Sequence, residues 1–129
     1  MVCGYAFPLF RPGTKVISLV EHPPEVHPGT EAIIVKPWFR GLCAVQLPDG
    51  EIHRWFANFE LQPVNSSAGY LAPGSLARVL NTVGHPPHIR PGMEVRIVRC
   101  FPQAVFYDLM INGKYHRWLA EWELAFPIA

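Results

Sequence analysis

The sequence predicts an all-β chain made of two tandem copies of one small five-stranded barrel, and three observations carry that reading. A string running from His53 to Leu61, His-Arg-Trp-Phe-Ala-Asn-Phe-Glu-Leu, recurs from His116 to Leu124 as His-Arg-Trp-Leu-Ala-Glu-Trp-Glu-Leu. Short runs rich in β-branched residues are separated by hairpin dipeptides, Asp49-Gly50 in one copy and Asn112-Gly113 in the other. A proline-stiffened loop, His22 to Gly29 in one copy and His85 to Gly92 in the other, excludes regular helix and central strand alike.

Self-similarity decides architecture before anything else. His53 and His116, His22 and His85, and Gly29 and Gly92 are all 63 positions apart, and the ordered matches between them require no gap. His22-Pro23-Pro24 maps onto His85-Pro86-Pro87, Ile34-Val35 onto Ile97-Val98, and Glu60-Leu61 onto Glu123-Leu124. The expected division is residues 1–64 for an N-terminal segment plus the first barrel, 65–71 for a linker of small polar residues, and 72–129 for the second barrel. Units of this size lie at the lower limit of independent folding, so the copies are expected to pack about a pseudo-twofold.

Residues 1–10 precede the repeat, and Tyr5, Phe7, Leu9 and Phe10 nearly alternate, as an edge strand or the cover of a core would. Lys15 to Val20 reads as a first strand and His22 to Gly29 as a proline-stiffened loop. Glu31 to Lys36 reads as a second strand, Pro37 to Gly41 as a turn, and Leu42 to Leu47 as a third strand. The hairpin Pro48-Asp49-Gly50 leads to a fourth strand, Glu51 to Phe56. Ala57 to Glu60 is long enough for one 3-10 turn before a brief fifth strand at Leu61. In the second copy the same order gives Leu76 to Val83, the loop His85 to Gly92, Glu94 to Arg99, Ala104 to Ile111, Lys114 to Leu119 and a turn at Ala120 to Glu123. Ser75 to Leu80 alone could start a helix, but alignment with the first strand overrules that.

The order of strands, the Pro12-Gly13-Thr14-Lys15-Val16 opening and the Arg54-Trp55-Phe56 to Glu60-Leu61 ending resemble an SH3-like barrel in each copy. The likeness is to small bacterial and plastid barrels such as the variable chain of ferredoxin:thioredoxin reductase, with a more distant echo of the SH3-like domain of the nitrile hydratase β chain. It implies fold rather than activity.

Half of the residues are hydrophobic, 16% are charged and the formal charge is +1, which suits a compact globule and predicts no strong pull toward nucleic acid or anionic membrane. No apolar run reaches the roughly 20 residues a spanning helix needs. The N-terminal stretch lacks a basic region and is broken by Pro8, so a cytoplasmic protein, monomer or homodimer, is expected. Cys3, Cys43 and Cys100 are odd in number, and at the 63-residue offset Cys43 falls on Phe106 and Cys100 on Pro37. Free buried thiols are expected rather than a disulfide or a metal site.

Six histidines are the first candidates for chemistry. His22, His53, His85 and His116 form two repeat-related pairs, while His27 and His88 are extras in the proline loops. Two imidazoles per copy make an incomplete metal site, so they are expected to hydrogen-bond backbone groups and pin the loops; no metal and no cofactor is assigned. On an ideal strand His53, Trp55 and Ala57 share one face, and Trp55 and Trp118 are expected in the core with His53, Leu61, His116 and Leu124. Arg54 and Arg117 are expected to pair with Glu60 and Glu123, or with Glu31 and Glu94. Partner contacts are assigned to the loops, turns and short helices: His22, His27, Trp38, Phe39, His85, His88, Phe101 and Trp122.

No Gly-rich phosphate loop, Gly-x-Ser-x-Gly, HExxH or paired-carboxylate motif is present, so no catalytic residue is assigned and enzyme activity is not the favoured reading. The leading expectation is a non-catalytic module that binds a protein or peptide through proline loops and aromatics. Binding of nucleic acid, or of a metal or small molecule as an accessory subunit of an enzyme, are the alternatives.

Overall fold

The computed structural model describes residues 8–64 and 71–127. It is all-β, with β1 (Lys15–Ser18), β2 (Glu31–Gln46), β3 (Ile52–Ala57), β4 (Leu61–Pro63), β5 (Leu76–Val79), β6 (Glu94–Ile111), β7 (Lys114–Ala120) and β8 (Leu124–Ala125). Hydrogen bonding links the strands in the order β4-β5-β6-β2-β1-β8, with β3 on β2 and β7 on β6. One 3-10 turn, Asn58–Glu60, precedes β4, and another, Glu121–Glu123, precedes β8. Of the N-terminal segment, residues 1–7 lie outside the described part; Phe10 is buried.

The local turn chemistry is as the dipeptides require. Asn112 and Gly113 both adopt positive φ (51° and 77°), the backbone of the tight turn between β6 and β7, while Gly50 at 94° closes the longer Pro-Asp-Gly loop between β2 and β3. The expected turn at Pro37 to Gly41 is absent. β2 runs without interruption for 16 residues and β6 for 18, so what reads as two strands and a turn is one long strand in each copy. A strand tolerates proline wherever no N–H is required of it, and Pro37 and Pro102 both sit inside these strands.

That continuity redistributes the repeats. The two compact units are Met1–Phe39 with Ala104–Ala129, here unit 1, and Arg40–Gln103, unit 2. They therefore do not follow the 1–64 and 72–129 division. Each unit takes the opening strand of one repeat and the closing strand of the other: β1 pairs with β8 in unit 1, and β4 pairs with β5 in unit 2. β2 and β6 each pass from one unit to the other instead of folding back.

The register also corrects the gapless offset. Val16 faces Ala32 as Ala77 faces Val95, so the first strands correspond at an offset of 61 (16 to 77). Cys43 faces Phe56 as Tyr107 faces Leu119, so the middle of β2 corresponds to β6 at an offset of 64 (43 to 107). The true counterpart of Cys43 is thus Tyr107 rather than Phe106.

Unit 1 packs around Phe10, Val16, Ile34, Tyr107, Leu109 and Leu119, and unit 2 around Val45, Phe56, Val79, Ile89, Val95 and Ile97. Strand alternation fails at one place in each unit. The register slips between Cys43 and Ala44 and between Tyr107 and Asp108, opposite the tryptophans. As a result Trp55, Phe56 and Ala57 are buried in succession, as are Trp118, Leu119 and Ala120, so the ideal two-face pattern does not hold there.

Candidate functional site

The loop histidines turn inward onto carboxylates. His85 Nε2 lies 3.1 Å from Glu60 Oε2, with both side chains fully buried, and His22 Nε2 lies 2.8 Å from Glu123 Oε2. Each glutamate also reaches back one turn, accepting the N–H of Ala57 (2.9 Å, Glu60) or Ala120 (2.9 Å, Glu123). The carboxylate thus satisfies the first orphan donor of the 3-10 turn and anchors a proline loop with its other contact. In place of the backbone partners expected from sequence, His22 and His85 meet carboxylates. Each pair joins one repeat's histidine to the other repeat's glutamate, as the exchanged halves dictate.

His53 is buried beside this pair, its Nε2 3.2 Å from His85 Nδ1. Its counterpart His116 is half-buried and lies 3.6 Å from Glu25 Oε1. Burial pushes the His116 imidazole below its ordinary pKa, Glu25 pulls it up and Lys114 pushes it down. Glu25 and Lys114 form an exposed ion pair at 3.0 Å, and the corresponding positions in unit 2 are His88 and Glu51, paired at 3.2 Å with the polarity reversed. His27 is exposed, and its backbone N–H bonds Thr30 Oγ1. Among the described residues no group of three or more His, Cys, Asp or Glu side chains is arranged to hold a metal ion.

Glu31 pairs with Lys15 and Glu94 with Arg78, while Arg117 donates from Nε to Tyr115 Oη at 3.0 Å and lies over the Trp118 ring at 4.7 Å. Trp118 and Trp55 are buried and meet Trp38 and Phe101 edge-on, at 5.5 and 5.9 Å between ring centroids. Lys36 stands over Trp38 and Arg99 over Phe101, so the same cation–aromatic contact is kept in both units. Leu61 and Leu124 are buried, whereas Phe39 and Trp122 are exposed.

One feature of unit 2 has no counterpart among these expectations. A cleft of about 430 Å³ is lined by Gly41, Cys43, Asn58, Leu61, Pro63, Leu71, Pro73, Cys100, Phe101 and Pro102. Its wall includes a disulfide between Cys43 and Cys100, which overturns the expectation of free thiols. The two cysteines are far apart in sequence and outside the repeat pattern, but the passage of β2 and β6 into one unit brings their Cα atoms to 4.1 Å.

Register shows why the cleft exists. In unit 1 the corresponding region is filled by Tyr107, Phe10 and Phe126, with Phe10 5.6 Å from Tyr107 and 4.9 Å from Phe126. Tyr107 Oη donates to Glu121 Oε2 at 2.6 Å and accepts the N–H of Phe10 at 3.2 Å. Leu9 N–H also donates to Glu121 Oε2, at 2.7 Å. Burial first, and then the hydrogen bond to Glu121, push the Tyr107 phenol well above its ordinary pKa, so it stays a neutral donor. In unit 2 these positions are Cys43 for Tyr107, Leu71 for Phe10, Pro63 for Phe126 and Asn58 for Glu121. The three rings have become Cys43, Leu71 and Pro63, and among the described residues the volume the rings fill in unit 1 is left open.

Sequence reasoning placed only Phe101 and Leu61 of this lining among its chosen residues. The missing signal was the copy-to-copy exchange of aromatic for small residues, which a single offset of 63 hides by setting Cys43 beside Phe106.

No family model matches the chain, and no curated protein matches it. Solved structures do resemble it: a crystal structure of a DUF1541 family protein, ydhK, from Bacillus subtilis subsp. subtilis str. 168 is 18% identical, with a TM-score of 0.65 over 95% of this chain and 88% of that one. A solution NMR structure of the ydhK C-terminal domain from B. subtilis is 19% identical, with a TM-score of 0.63 over 91% and 93% of the two chains. At these identities the likeness concerns the all-β fold.

Proposed function

We propose that this chain is a non-catalytic binding module that takes a side chain of a partner polypeptide into the cleft of unit 2. The carrying observation is the cleft itself: about 430 Å³, within the range of ligand sites, walled by prolines, leucines, Phe101 and the disulfide, with Asn58 as a polar group. Prolines and a cross-link hold such a wall stiff, which limits the entropy lost on binding. The strongest acid–base arrangement, His85 with Glu60, is sealed from solvent and so out of a substrate's reach. That supports a structural role for the repeated histidines and a binding role for the module.

Support for SH3-like barrels comes from the β2–β3 and β6–β7 hairpins and from the 3-10 turns before β4 and β8. Among the described residues no helix is long and apolar enough to cross a membrane. The Cys43–Cys100 disulfide supports an oxidising compartment over the cytoplasm expected from sequence, since such bonds are rare in cytosolic proteins. Mass analysis after alkylation of freshly extracted protein checks this: alkylated Cys43 and Cys100 would return the chain to a reducing compartment.

The binding role is tested by selecting random peptides on immobilised protein, wild type against Leu71→Phe. Phenylalanine is what unit 1 carries at this position, so the variant plugs the cleft with a group the fold already accommodates. Peptides enriched on wild type and lost on the variant are expected. Equal enrichment on both proteins, or none on either, would remove the cleft as the binding site.

A further inference from the structure

We infer that the occupant of the unit 2 cleft is a tyrosine side chain supplied by a partner polypeptide, its phenol hydrogen-bonded by Asn58. The inference rests on the binding-module reading above and specifies what that module recognises.

Unit 1 displays the filled form of the same construction, and of the three rings missing from unit 2 the one carrying a hydroxyl is Tyr107, fully buried and exchanged for Cys43. In unit 1 the phenol hydroxyl ends on Glu121, the first residue of a 3-10 turn. In unit 2 the first residue of the equivalent turn is Asn58, and it lines the cleft. A polar group is therefore kept where a phenol hydroxyl ends, although the chain's own ring there has been removed. An all-apolar occupant would leave that amide without a partner on desolvation, whereas a phenol can donate to its Oδ1 or accept from its Nδ2.

Two further residues fit this role. Gly41 lies under the Asn58 side chain so closely that an added Cβ would come 2.8 Å from Nδ2 and 2.9 Å from Cγ, so the missing side chain lets the amide lie where it does. The disulfide sulfurs and Phe101 supply a polarisable wall for a ring.

The test is a chemical-shift titration of the full chain with N-acetyl-tyrosinamide, N-acetyl-phenylalaninamide and N-acetyl-leucinamide. Shifts should centre on Gly41, Asn58, Leu71 and Phe101, with the tyrosine compound binding roughly three- to ten-fold more tightly than the phenylalanine one, as one neutral hydrogen bond provides. Asn58→Leu should bring that ratio to about one while apolar binding persists. Gly41→Ala, which displaces the amide without removing it, should lower the ratio in the same direction. Cleft shifts of equal affinity for phenylalanine and tyrosine would overturn the tyrosine assignment and leave the binding module standing. No cleft shifts with any of the three would overturn both. Tighter binding of the tyrosine compound to Tyr70→Ala would show that the chain's own tyrosine competes, and would overturn the partner as source.

Discussion

At the scale of single residues, Glu60 and Glu123 carry more of the fold than their place in a surface-looking turn suggests. Each satisfies a backbone donor and a loop histidine at once, so truncation strands two polar groups in the interior. Glu60→Ala should therefore cost about 3–5 kcal/mol, the range for breaking a buried pair, and a denaturant melt within ~1 kcal/mol of wild type would refute this role. His116 gives a second expectation, in pH. Its folded-state pKa lies below 6.5, so just beneath that pH the unfolded chain binds a proton that the folded chain does not. Its contribution to stability is present above 6.5 and is lost as pH falls toward the lower folded value. His116→Gln should accordingly lose less stability than wild type between about pH 7 and about pH 5. Parallel stability curves for the two proteins would mean that burial does not perturb this imidazole.

At the scale of elements, what could be read from the sequence divides along the range of the interaction. The Asn112-Gly113 and Asp49-Gly50 turns, the 3-10 turns after Ala57 and Ala120, and the burial of Trp55 and Trp118 all follow from residues within a few positions of one another. The long strands do not. Pro37 to Gly41 has the composition of a turn, and only its pairing with distant segments determines that β2 continues through it. The cleft was hidden for the same reason, because its defining exchange, Tyr107 to Cys43, emerges only when hydrogen-bond register replaces a constant offset. The pairing of Cys43 with Cys100 is a long-range property that spacing cannot reveal. Their bond spans 57 positions, which on the loop-entropy model contributes about 4 kcal/mol by restricting the unfolded chain. Cys43→Ser with Cys100→Ser should lower unfolding free energy by up to that amount. An unchanged melt in the presence and absence of reductant would deny the cross-link a stabilising part.

At the scale of the whole molecule, the exchange of halves makes the two repeats interdependent. β1 finds β8 and β5 finds β4, each across the repeat boundary, and each buried histidine–glutamate pair does the same. A chain ending after residue 64 therefore contains an opening half and a closing half that belong to different units. Expressed alone, residues 1–64 have no closing strand for β1 and no opening strand for β4, so the monomer should be unfolded. Two copies can exchange halves with each other as the repeats do here, with β1 of one copy meeting β4 of the other, so folding should appear only with dimerisation. Its midpoint should then rise with protein concentration, the behaviour of an obligate dimer. Sedimentation and circular dichroism over a dilution series would show loss of mass and loss of structure together. A folded monomer of this fragment at low concentration would mean that one repeat can close on itself, and that the exchange is an option of the tandem chain rather than a requirement of its sequence.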